Sequence, residues 1–89
     1  MVRRMVIDIE KEARILPKYL YYLLLNKKDM IDQLYVGTAQ KFLHLSTMNY
    51  ILSTAGIPAK ARYNRKDESL VGKICIQPVG GFNIYLGEE

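Results

Sequence analysis

The chain has 89 residues, 49% of them hydrophobic and 25% charged, with a net charge of +4. That length fits one domain spanning 1–89, and that composition excludes a disordered chain. No apolar run nears the roughly 20 residues of a membrane helix, and a single cysteine, Cys75, excludes an internal disulfide and the multi-thiolate zinc patterns.

Residues 1–12 alternate charge with apolar residues and lack the continuous apolar core of a secretory leader, so a cytoplasmic location with no membrane partner is expected. Within them, Arg3 to Glu10 has period two. Met5, Ile7 and Ile9 fall on one side and Arg4, Asp8 and Glu10 on the other, which predicts a strand; the start of a helix is the competing reading. Pro17 suits the first turn of a helix, and Leu16, Leu20, Leu23 and Leu24 follow helical spacing. Asn26-Lys27-Lys28 breaks it. Asp29 is placed to cap a second short helix carrying Met30, Ile31, Leu34 and Tyr35, with Asp32 in its first turn and Gly37 at its end.

Thr38 is the expected N-cap of a third helix, on which Phe42, Leu45, Met48, Leu52 and Ala55 share a face. Gly56 and then Pro58 end it. Ala59 to Tyr63 alternates again, with Lys60 and Arg62 facing away from Ala61 and Tyr63. A polar loop over 64–69 follows. Val71 to Gln77 and Phe82 to Leu86, around Pro78-Val79-Gly80-Gly81, read as a hairpin. Helices segregated from strands predict an α+β domain: two or three helices packed on a short antiparallel sheet with a C-terminal β-hairpin.

Chemistry is hard to find along the chain. His44 is the only histidine, and Ser46, two residues on, would point elsewhere on a helix. Asp29 and Asp32 have structural roles as a cap and a first-turn charge. Gly80-Gly81 lacks the Lys-Ser/Thr of a phosphate loop. Cys75 reads as a small buried residue. No catalytic residue, metal ligand or cofactor is therefore assigned, and an enzyme would need a site shared between chains.

Charge placement is more informative. Segment 41–73 holds Lys41, Lys60, Arg62, Arg65, Lys66 and Lys73 against Asp67 and Glu68, while the rest has seven basic and seven acidic residues, so all the excess lies in this stretch. Lys60, Arg62, Arg65 and Lys66 form a strand-loop cluster suited to phosphates, with Tyr63 available for stacking on a base. Tyr21, Tyr22 and Tyr85 are candidates for an interaction surface, since tyrosine brings large area and few rotors. The expected function is that of a small, non-enzymatic, nucleic-acid-binding or regulatory protein with DNA or RNA as partner. The alternative is a protein-interaction module or homo-oligomer, such as a dimer or an inhibitor of a larger complex, that pairs through an exposed Phe82–Leu86 edge.

The stretch Ala39-Gln40-Lys41-Phe42-Leu43-His44-Leu45-Ser46-Thr47-Met48-Asn49-Tyr50-Ile51-Leu52 resembles part of a helix-turn-helix. Ala55-Gly56-Ile57 resembles the end of a winged-helix recognition helix, and Pro78 to Leu86 resembles a wing tip and its returning strand. The resemblance covers about half the chain. It implies that Ser46 caps a recognition helix presenting Thr47, Asn49, Tyr50 and Ser53 to a major groove, whereas one uninterrupted helix over 38–55 accounts for the same residues.

Overall fold

Alternation in the first strand and in the last third of the chain is resolved by one four-stranded sheet. A computed structural model describes residues 3–87. Strands β1 (Met5–Ile9), β2 (Ala59–Tyr63), β3 (Ile74–Gln77) and β4 (Asn83–Leu86) pair antiparallel throughout, in the order β2-β1-β3-β4. Helices α1 (Pro17–Asn26), α2 (Lys28–Asp32) and α3 (Leu45–Thr54) all fall between β1 and β2 in the chain. The architecture is the expected α+β domain, with β3 and β4 as its C-terminal hairpin.

The core lies between helices and sheet. Met5 and Ile7 of β1, Ala59 and Ala61 of β2, Ile74 and Ile76 of β3, and Ile84 of β4 meet Leu20, Leu24, Ile31, Met48, Ile51 and Leu52 of the helices. Successive strand side chains point to opposite faces. Ile9, Tyr63 and Leu86 pack at the margin of this core, and the strand residues that alternate with the core set, such as Val6, Arg62, Cys75 and Tyr85, face away from the helices.

Local chemistry explains most boundaries. Pro17 stands at the start of α1 after Leu16, and the chain breaks at Lys27 before α2. The end of α3 is a Schellman motif: the Ile57 N–H bonds the Leu52 carbonyl at 2.9 Å, the Gly56 N–H bonds Ser53 at 3.1 Å, and Gly56 takes φ 70°.

Two expectations need correction. Asp29 makes no capping bond, and Asp32 sits at the end of α2, where its carboxylate accepts the Phe82 N–H at 2.7 Å and ties the helix to the hairpin turn. The third helix starts at Leu45 rather than Thr38. Val36 and Phe42 exchange two backbone hydrogen bonds of 2.9 and 2.8 Å, and Phe42 also bridges Val79. Gly37 makes this loop possible at φ 136°, where a Cβ would lie 2.3 Å from the Gln40 carbonyl oxygen. These bonds close residues 36–42 into a loop held against the hairpin turn, where the Leu43 N–H also bonds the Pro78 carbonyl at 2.8 Å, so the helix cannot begin until they end.

Candidate nucleic-acid interface

The face of the sheet that the helices leave free is built from alternate residues. Register places Arg62, Val6, Cys75 and Tyr85 in one row across it. Lys60 and Asp8 begin the next row, and at the other end Asn64 bonds Arg4 through its backbone N–H at 3.0 Å while Gln77 pairs with Asn83. Val6 and Cys75 are fully buried although they point away from the helices. Their cover is the link between β2 and β3. Both strands run antiparallel to β1 and so parallel to each other, which obliges residues 64–73 to run the length of the sheet as a strap.

Arg62 anchors that strap. Its guanidinium pairs with Asp8 on β1 and with Glu68 on the strap, one Glu68 contact being 2.9 Å, and Glu68 also accepts the Arg65 N–H at 3.1 Å. Lys73 approaches Asp8 at 3.6 Å. Hydrogen bonding to Arg62 holds the Glu68 carboxyl at about 2, and the same bonds raise the Arg62 pKa. The far end is fixed by the Gly72 N–H on Gly87 at 3.0 Å and the Gly87 N–H on Lys73 at 2.7 Å.

Beside the strap, at the Arg4 end of the sheet, lies a cleft of about 690 Å³. Arg3, Arg4 and Lys66 supply its charge, Asn64 and Gln77 its amides, Tyr85 its aromatic surface, and Leu70 and Pro78 its apolar wall. Among the described residues no carboxylate lines it. Arg4 sits over the Tyr85 ring, 5.2 Å from its centroid, and burial raises the pKa of that phenol. Two carboxylates of this face, Asp8 and Glu68, are engaged by Arg62 and Lys73, while Asp67 is exposed on the strap next to Lys66. Among the described residues none lies within ion-pair distance of Arg3, Arg4 or Lys66.

The five residues expected to bind nucleic acid are distributed unevenly around this geometry. Lys66 reaches the cleft. Lys60 and Arg65 are exposed, and Arg62 is the internal anchor. Tyr63 turns to the helix side and packs against the core, opposite Arg62. Of the interaction tyrosines, Tyr85 lines the cleft, whereas Tyr21 and Tyr22 stack edge to face on α1 with centroids 5.1 Å apart. Arg3, Arg4, Asn64 and Gln77 escaped sequence reasoning, because the first segment is neutral overall. Yet alternation in β1 had already set Arg4 apart from Met5, Ile7 and Ile9.

On α3, Tyr50 and Ser53 are exposed, and the Asn49 amide bonds both the N–H (2.8 Å) and the carbonyl (3.1 Å) of Ala61 on β2. His44 precedes the helix and stacks on Phe42. Among the described residues no helix is long and apolar enough to cross a membrane. Comparison with protein-family models, with curated proteins and with solved structures found no match.

Proposed function

We propose that this protein binds nucleic acid, single strands in preference to duplex, on the uncovered end of its sheet. The observation that carries the reading is the cleft that gathers Arg3, Arg4 and Lys66 around Tyr85, with no carboxylate in its lining among the described residues. Clustered cations suit a phosphate backbone, and a tyrosine on the face of a sheet gives an unpaired base a stacking surface. Exposed Arg65 and Lys60 extend the positive surface along the strap and β2. Helix α3 has neither arginine nor lysine between Leu45 and Thr54, so the sheet is the better phosphate surface.

Binding should weaken with salt. Three phosphate contacts on a single strand give a log–log slope of about −2, or a loss of about 20-fold between 50 and 200 mM salt. Fluorescence anisotropy with labelled single- and double-stranded DNA and RNA measures this directly. Replacing Arg3, Arg4 and Lys66 with glutamine should remove the binding. Undiminished affinity in that variant, or no binding by the intact protein at 50 mM salt, sinks the reading.

A further inference from the structure

We infer that two copies of this chain join edge to edge through β4, with α1 of one packing beside α1 of the other, so that two four-stranded sheets become one of eight strands. The argument begins with a difference between the sheet's two edges. At β2 the Asn49 amide occupies both backbone groups of Ala61, so the outer edge is closed from within. At β4 the strand Asn83-Ile84-Tyr85-Leu86 carries no charge, no proline and no bulge, and among the described residues nothing pairs with its outer side. Such an edge is a template for another strand.

Charge selects a second copy as the occupant. In a twofold contact each residue meets the same surface of its partner, so a self-pairing strand must tolerate its own charges. β4 has none, and α1, which packs on β4, carries only Lys18. Most of the excess positive charge of segment 41–73 lies on β2 and the strap, where two copies would repel; Arg4, over the Tyr85 ring on the open face, is a charge near β4 that lies on its face and not on its edge. Exposed apolar surface on α1, the helix packed on β4, points the same way. Leu16 is 73% exposed, Tyr19 63% and Tyr22 53%, all at or on the helix that covers the outermost strand. Two tyrosines so exposed offer roughly 100–150 Å² each. With Leu16 they approach half of the ~800 Å² per partner of a stable interface, and the strand junction supplies the rest. β4 shares Tyr85 with the cleft, but the pairing uses its backbone and the phosphate contacts fall on Arg3, Arg4 and Lys66, so dimerisation and nucleic-acid binding are lost by different variants.

Sedimentation velocity on the intact chain from about 1 to 100 µM tests this, together with amide exchange. The expected result is a dimer whose β4 amides become protected as concentration rises while the outer amides of β2 do not. Tyr19→Glu with Tyr22→Glu, and separately Asn83→Lys, alter exposed positions and should each weaken the dimer at least tenfold with the circular dichroism spectrum unchanged. A monomer at 100 µM overturns the proposal, even if a foreign extended peptide binds β4. So does a dimer that both variants leave intact.

Discussion

Single side chains here hold positions that no neighbour could fill. Asn49 is the clearest case, because one amide satisfies the donor and the acceptor of Ala61 at the edge of β2. Asn49→Ala would leave both unpartnered within the protein, at a cost of about 1–3 kcal/mol, and would uncover an edge able to pair with other chains. Urea denaturation should show the loss, and light scattering an increase in aggregation; unchanged stability would mean that water replaces the amide freely. Gly87 is a second case. A Cβ there would meet the Leu70 carbonyl oxygen at 1.7 Å, and that atom is backbone. Gly87→Ala must lift the strap or bend β4, so destabilisation of roughly 1–3 kcal/mol is expected from the same measurement.

Among the elements, the strap is the one whose hold depends on charge. Glu68 has its carboxyl lowered from 4.5 to about 2 by Arg62. A carboxyl lowered on folding contributes stability that is present in full above its unfolded value and disappears as pH falls through the folded one. The contribution should therefore fade between pH 4.5 and 2. Thermal melting of the wild type and Glu68→Gln should give curves that separate above pH 4.5 and converge towards pH 2; a constant separation would exclude the Arg62–Glu68 pair as its source. The elements also show what the sequence could reveal. Period two in β1, the break after Asn26, the glycine ending α3 and the hairpin were legible because neighbours in sequence determine them. The start of α3 was not. Phe42 and Leu45 happen to fit a helical period, but Phe42 is held by Val36 and by Val79, 37 residues away, and periodicity is blind to such bonds.

Across the whole molecule, the sheet order sorts the charge. Counting along the chain made segment 41–73 the basic one and left Arg3 and Arg4 in a neutral segment. Folding draws Arg62 and Lys73 into a network with Asp8 and Glu68 and leaves Lys66 beside Arg3 and Arg4. The candidate cleft was thus half legible: Lys66 and Tyr85 were noticed separately, and their meeting depends on a crossover that no local pattern encodes. The strap has one more consequence. It closes over Cys75, which is fully buried and whose thiol burial pushes up. A maleimide can reach that sulfur only while the strap is lifted, so the chain carries its own clock for the event. At fixed neutral pH, Glu68→Gln should quicken the labelling of Cys75, and a bound oligonucleotide that presses on the strap should slow it.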